Sequence, residues 1–577
     1  MLPPLLRWII VLLFLRWIHG VKFMLMHTND MHAWFDPISA KGGKCQPVDD
    51  EQGQCFGGFG RVATALEKAR NSGPTLYLNA GDTFQGTPWF SVYGGKMVAE
   101  LLNMLAPDAM ALGVHEFDDG VPKLIEFLEL VNFPVVSGTL NLTHEPKLAA
   151  CEKLMEYKIL NLNETLIGVV GYIRSDTKQR TQPNNVIYKR EISSINKITK
   201  ILIQNNVNII IALGHSGYQA DMDIAMHCPD VDIVVGGQSH TFLYSGRVPD
   251  KDVSEGPYPT IVIKPDGRKV LVLQAYAYTK YLGKINLEFD SGGNLIYFNG
   301  NPILLDNTFQ PRQDIQEYLE KYRQVIRDME NHVVGTTTVF LNGDRKSCGL
   351  GECNFGNIIA DSFVYARVLE TMSDRSSWTD ASIGIINAGA IRASIEPGET
   401  GAITEADVVM VLPLSQELFY TRISGAQLMR AFEHSAYLRS TDNPGGFLQV
   451  SGLRLKFNYS HPKGQRITEI KALCSSCQIP HYENVIPENY YGVVLTSFLL
   501  HGGEGYNFID SRKPTVQNLS ILDRMAVIRY LQEHKVIYPE REGRIMMQER
   551  VYHSSSGRRG LVSAILFATF LYLASKL

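Results

Sequence analysis

An excess of either charge is lacking in this chain: 59 Asp and Glu against 55 Lys and Arg leave a formal net charge of −4 over 577 residues. A balance this close gives no electrostatic footprint for a phosphodiester backbone, so no nucleic-acid partner is expected and function has to be read locally. Tandem repeats and low-complexity runs are lacking as well, which excludes a repeat array, a fibrous polymer or a disordered chain. Among the eight cysteines there is a single Cys-x-x-Cys, Cys474-Ser-Ser-Cys477, and without a second such pair a structural zinc ribbon is excluded.

What is present is an ordinary globular composition, 45% hydrophobic and 20% charged, on a chain too long for one core. Two large domains are expected. Three cysteine pairs lie close in sequence, Cys45 with Cys55, Cys348 with Cys353 and Cys474 with Cys477, leaving Cys151 and Cys228 as a long-range pair. Four disulfides suit an oxidising compartment. Glycosylation sequons at Asn141, Asn163, Asn458 and Asn518 agree with it.

Both ends read as processing signals. Residues 1–20 pass from Arg7 through the apolar stretch Trp8 to Leu15 to Ile18-His19-Gly20, the order of a secretory signal peptide, with a signal anchor as the alternative. Residues 550–577 run from Ser554-Ser555-Ser556 through Arg558-Arg559 into an apolar tail, the order of a GPI attachment signal. Attachment at Ser554 or Ser556 would place the protein on the outer face of the plasma membrane. Secretion or a C-terminal transmembrane helix are the alternatives.

Between these ends the fold class is α/β. Short β-branched strands at Val21 to His27, Thr75 to Ala80, Val135 to Gly138, Thr165 to Tyr172, Ile209 to Leu213 and Ile233 to Gly236 alternate with helical stretches such as Phe59 to Ser72 and Gly94 to Leu105. This pattern sets a layered domain at 21–310. A charged helix from Asp314 to Met329 makes 311–332 a linker, and 333–549 is a second α/β domain with strands at Ser382 to Ile386, Glu417 to Ile423 and Tyr491 to Thr496.

In layered α/β folds ligands gather beyond the carboxyl ends of strands. Here those ends carry Asp30-Met31-His32, Gly81-Asp82, His115-Glu116-Phe117-Asp118, Gly214-His215 and Gln238-Ser239-His240. Carboxylates and imidazoles converging on one edge form a ligand set for paired divalent metals, with Asp82 placed to bridge them. A single Asp or His at a strand end is ordinarily a loop or capping residue, but five successive ends carrying them point to a site.

The order and spacing resemble the calcineurin-like metallophosphoesterases. With Glu352-Cys353-Asn354 and Asn387-Ala388-Gly389-Ala390-Ile391-Arg392 added, the chain resembles the 5′-nucleotidase and apyrase family over about residues 22–547. The resemblance implies a metallophosphoesterase domain followed by a nucleoside-binding domain that hydrolyses nucleoside phosphates. It implies one or two divalent ions, zinc first and manganese or magnesium as alternatives. Asp30, His32, Asp82 and His240 would hold one ion and Asp82, His215 and Gln238 the second, while His115, oriented by Asp118, would act on the phosphate. Asn387, Arg392, Phe498 and Glu504 would bind the nucleotide, and a homodimer is a further implication.

The chain also departs from that pattern. Val114 stands where the family has a metal-ligating Asn, Gln238 where it has His, Gly351 where it has a phosphate-binding Arg, and Leu414 where it has a base-stacking aromatic. The first two changes predict a weakened second metal site, Gly351 a weaker grip on phosphate, and Leu414 stacking of the base by Phe498 on one side only. Three functions follow: a nucleoside monophosphate hydrolase, a nucleotide or protein binder without turnover, and an apyrase-like hydrolase of di- and triphosphates.

Overall fold

A computed structural model describes residues 20–40, 42–371, 377–439, 444–507 and 515–548. Residues 1–19 of the stretch read as a signal peptide, and the region read as a lipid-attachment signal with Ser554 and Ser556, lie outside the described residues. Among the described residues no helix is long and apolar enough to cross a membrane.

The first domain is built on two sheets packed face to face. One runs Leu295–Gly300, Tyr281–Phe289, Val21–Thr28, Thr75–Asn79, Ala109–Ala111, Val135–Val136, Leu154–Met155; the other runs Thr260–Ile263, Lys269–Leu273, Ile233–Val235, Ile209–His215, Thr165–Ile173, Tyr157–Leu162. The strands are apolar on both faces because each sheet is covered twice. Phe23 and Leu25 meet Ile167, Val169, Ile209 and Ile211 between the sheets. Met26 and Tyr77 pack outward beneath the helices Phe59–Ser72 and Pro88–Leu105, and on the other sheet Val170 and Ile210 pack beneath Glu191–Gln204 and Tyr218–His227. The central strands are parallel, with His27 beside Leu78, Leu78 beside Ala109 and Leu213 beside Val235, so their carboxyl ends open on one edge. The helix read from Gly94 begins earlier, at Pro88, and bends at Gly94, which holds φ 61°.

The charged helix Gln313–Asn331 buries Ile315, Leu319 and Ile326 in the first domain's core and ties Arg323 to Asp36 at 2.7 Å. It is a docked element of that domain, and the chain departs from it at His332. The second domain has a five-stranded sheet in the order Leu448–Ser451, Ile383–Asn387, Tyr490–Thr496, Glu417–Ser424, Gln517–Leu522, flanked by Asn354–Thr371 and Gly425–Arg439. Trp34, Ile38 and Phe56 of the first domain enter this domain's core, so the two halves meet through apolar surface.

Three of the four expected disulfides are formed, Cys45–Cys55, Cys348–Cys353 and Cys474–Cys477. The pairing of Cys151 with Cys228 is wrong: both are free thiols. Cys151 packs against the helical layer outside the first sheet, and Cys228 lies buried outside the second. The sandwich stands between them, and a disulfide needs Cα atoms within about 7 Å.

Candidate active site

Every charged residue read at the strand ends arrives at the same edge. The first strand ends at Thr28, and Asp30 and His32 follow with φ of 50° and 49°; Asp82, Gln238 and His240 also hold positive φ, at 52°, 78° and 53°. Left-handed backbone at non-glycine residues costs roughly 1–3 kcal/mol each and gathers at functional sites, where neighbouring contacts enforce it. Here Asp30 N–H donates to Gly81 O and His32 N–H to Asp82 O, both at 3.0 Å, and Gln238 N–H donates to both Asp30 carboxylate oxygens. Gly113 is required because a Cβ there would stand 2.2 Å from Asp82 Oδ1.

Two groups of ligand-type atoms result, Asp30 with His32 and His240, and Asp30 with Asp82 and His215, the atoms of each lying within 4.8 Å of one another. Their orientation is set from behind. His215 Nδ1–H donates to Ala80 O at 2.7 Å and His32 Nδ1–H to Phe84 O at 3.2 Å, which leaves both Nε2 lone pairs facing the carboxylates. His215 Nε2 stands 2.8 Å from Asp82 Oδ2, and neither atom has a hydrogen-bond partner although both are buried. Lone pairs facing across that distance call for a positive charge, a shared proton or, when one is held there, a divalent ion.

The electrostatics agree. Burial alone would raise the Asp30 carboxyl, but His240 and His215 outweigh it and hold it at about 2. Burial opposes a charge on His215, yet Asp82 and Asp30 drive its pKa up to about 10, so the carboxylates demand positive charge at Nε2. Burial, with His240 adding to it, keeps His32 well below the ordinary imidazole value and therefore neutral and able to donate a lone pair. Hard carboxylate oxygens with neutral imidazoles fit divalent zinc, manganese or magnesium.

Above this cluster a cavity of about 560 Å³ lies between the domains. Val114, His115, Asp118 and Gln238 line it from the first domain, and Asn387, Arg392, Leu414, Phe498 and Glu504 from the second. His115 Nδ1 lies 2.5 Å from Asp118, and its Nε2 accepts from Arg392 Nη2 at 3.0 Å. Since a guanidinium only donates, the Nδ1–H proton belongs to the bond with Asp118. Buried polar atoms without partners face this region from both sides: Gln238 Oε1, Asn387 Oδ1 and Arg392 Nε. Leaving such groups unpaired costs about 1–3 kcal/mol each, a cost that a polar ligand removes.

Three contributors carry no signal in the sequence, and a fourth, Glu116, is legible there only as a member of its motif, without a role. The Glu116 carboxylate accepts from the N–H groups of Gly113, Asp82, Thr83 and Phe84 and so clips the loops of two strands together. Tyr278 packs edge-on against His240. Arg180 donates to Glu504 at 3.0 Å across the domain boundary, and Arg345 lines the cavity wall. Glu116 stands inside the motif from His115 to Asp118; the other three carry no local signature. Gly351 lies outside this cavity, opening on a separate hollow with Leu350, Arg439 and Met547.

The fold and this edge of carboxylates and imidazoles define a two-domain metallophosphoesterase. Residues 23–242 match the calcineurin-like phosphoesterase family and residues 333–511 the 5′-nucleotidase C-terminal domain. The chain belongs to the 5′-nucleotidase family. It is 40% identical to Protein 5NUC of Lutzomyia longipalpis, with 91% of this chain and 92% of that protein covered, and 38% identical to the 5′-nucleotidase of Bos taurus, with 96% and 95% covered. A crystal structure of a 5′-nucleotidase precursor from Thermus thermophilus superposes with a TM-score of 0.81 at 32% identity, covering 91% of this chain and 99% of that one. The protein is a phosphohydrolase of a family that uses divalent metal ions and acts in general on nucleoside monophosphates.

Proposed function

We propose that this chain hydrolyses nucleoside 5′-monophosphates such as AMP outside the cell, with its second metal site weaker than its first. The observation that carries the reading is the facing pair His215 Nε2 and Asp82 Oδ2, buried, 2.8 Å apart and unpartnered, at the floor of the interdomain cavity. Asp30, His32, Asp82 and His240 would hold the first ion and Asp82, His215 and Gln238 the second. Bound divalent ions supply Lewis acidity and a water of lowered pKa for in-line attack on phosphorus.

The chain's own groups supply the rest. Asp118 and Asp82 outweigh burial and raise the His115 pKa, so with Arg392 turned to the phosphate, His115 can carry a proton at Nε2 for the leaving or non-bridging oxygen. Arg392 brings a forked donor from the second domain to the same point. Phe498 and Leu414 bound the slot for the base, and Asn387 Oδ1 is free to accept from the nucleoside. Glu504 reaches the ribose side while held by Arg180.

Weakness of the second site follows from Val114, buried at the cavity edge with a side chain that cannot ligate, and from Gln238, which offers an amide oxygen in place of an imidazole. These residues favour a second reading, a nucleotide binder without turnover. Phosphate release from AMP, ADP and ATP separates the readings: preference for AMP supports the proposal, preference for ATP supports an apyrase-like enzyme, and tight binding without release supports the binder. Cell-surface anchorage rests on the terminal sequence pattern and the disulfides. Release of the protein from membranes by a phosphatidylinositol-specific phospholipase tests it, and retention would rule out the anchor. Dimerisation is carried as an implication of the family alone.

A further inference from the structure

The segment from Gly236 to Thr241 carries two side chains read as ligands of different ions, and both hold left-handed backbone, Gln238 at φ 78° and His240 at φ 53°. Such backbone persists only where contacts from outside hold it. The N–H of Gln238 is held by Asp30. Three further contacts come from one fully buried side chain, Gln274, which directly follows the strand Lys269–Leu273.

Gln274 Oε1 accepts from Ser239 Oγ–H at 3.1 Å and from Thr241 N–H at 3.2 Å, while its Nε2 donates to Gly237 O at 3.3 Å and to Asp221 Oδ2 at 2.6 Å. Both donors and both acceptor positions of the amide are thereby used. Gly237, Ser239 and Thr241 are the sequence neighbours of Gln238 and His240, so one side chain brackets both. Asp221 sets which way the amide turns. Fully buried in the helix Tyr218–His227, it accepts from Tyr172 Oη–H at 2.7 Å as well as from Gln274. A Cβ on Gly236 would stand 1.8 Å from Asp221 Oδ2, so glycine there is what lets the carboxylate reach. With its NH2 group drawn to Asp221, the Gln274 carbonyl oxygen is left facing Ser239 and Thr241.

We propose that Gln274 is a positioning residue for both metal ions: turned by Asp221, it holds Gln238 and His240 in their strained conformations and couples the two ion sites through one loop. It bonds to the residues on either side of the two ligand positions and to neither ligand itself. Groups that orient metal ligands from behind typically carry about 10- to 100-fold of the affinity. The demand is greatest at the second ion, where Gln238 offers a weak amide ligand that has to be presented in place. The inference rests on the hydrolase reading for the placing of His240 at the first ion and Gln238 at the second, and it names what fixes them.

The test compares the parent protein with Gln274→Glu, with Gln274→Glu combined with Asp221→Asn, and with Ser239→Ala. Zinc affinities are read by titration against a chelator, ligand geometry by the visible absorption of the protein loaded with cobalt alone, and folding by Tm without metal. Gln274→Glu removes the amide's donors and sets a second carboxylate against Asp221. Both zinc constants should therefore weaken by about 10- to 100-fold and the cobalt absorption should change. Adding Asp221→Asn returns a donor to that contact and keeps the total charge of the pair, so it should recover most of both constants and the parent's cobalt spectrum. Ser239→Ala, at an exposed position, removes one bond to Oε1 and should weaken both constants by a smaller factor with little change in Tm.

A Gln274→Glu protein that melts lower yet binds zinc as the parent does, with the parent's cobalt spectrum, would mark a purely structural role and overturn the proposal. So would the loss of one ion alone, or a double variant no better than the single one. Should Gln274→Glu not fold, parent-like zinc constants in Ser239→Ala, or weakened ones in a folded double variant, would overturn it. A parent that takes up no zinc would overturn it together with the metal assignment. If the parent holds zinc but releases no phosphate from AMP, the hydrolase reading fails while the titrations still decide the role of Gln274.

Discussion

Asp30 and Asp82 carry the densest set of constraints in the molecule, with left-handed backbone, full burial and imidazoles on several sides. Buried carboxylates of this kind are tolerated only with compensating charge. Restoring ligands at Val114 and Gln238 should therefore be felt first in metal affinity: Val114→Asn with Gln238→His is predicted to tighten the weaker ion by about 10-fold or more, read by titration against a chelator. An unchanged weaker constant would separate these positions from the second ion. At the cysteines, the prediction is that two thiols react on unfolding without reductant, for Cys151 and Cys228; none would appear if they were joined.

At this scale the site was legible because most ligand-type residues sit one to four positions beyond a strand that periodicity identifies. Arg180 and Arg345 were not, because an arginine in a loop or short helix gives no local sign of the cavity it faces. The Cys151–Cys228 pairing failed for a related reason. Counting cysteines is blind to the two sheets that stand between them.

At the scale of elements, the helix Phe59–Ser72 and the strands Val21–Thr28 and Thr165–Ile173 follow directly from apolar runs bounded by glycine and polar residues. Periodicity gives no partner for the linker helix. Its charged surface marks it as a connector, and the stripe Ile315, Leu319 and Ile326 docks it in the first domain's core.

The helix Asp523–His534 supports the nucleoside side of the cleft indirectly. Asp523 accepts from Gln416 N–H, and the Gln416 side chain accepts from Ser497 Oγ and Phe498 N–H. Burial raises the Asp523 carboxyl to about 7, against about 3.9 in an unfolded chain. The folded state holds this proton more tightly, so the stabilising contribution is fully present below about pH 4 and is lost as pH rises through about 7. Asp523→Asn is predicted to make the fall in Tm between about pH 4 and 7 smaller than the parent's, because the variant has no proton to lose there. An identical Tm profile in parent and variant would refute the assignment.

For the molecule as a whole, the two domains meet through an apolar patch around Trp34, Ile38 and Phe56 and through two polar contacts over the cavity, Arg180 to Glu504 and Arg392 to His115. The helix Gln313–Asn331 is docked in the first domain's core and also touches the second domain's helix Glu405–Val411, so rotation of the second domain would pass through His332, whose ring meets Glu405 at 2.8 Å, and would slide that helix contact. Arg180→Ala should therefore weaken AMP binding and expand the particle in small-angle scattering, by releasing Glu504 from the first domain. Unaltered scattering and KM would show that this pair does not hold the halves together.

Phosphate release from AMP by the purified protein, with zinc, manganese or magnesium added and with Asp82→Ala as control, is the most direct test. The prediction is metal-dependent release that Asp82→Ala abolishes and that Val114→Asn with Gln238→His increases. Binding of AMP with no release under any of the three metals, regained only in the restored variant, would contradict the claim that this chain is a working nucleotidase.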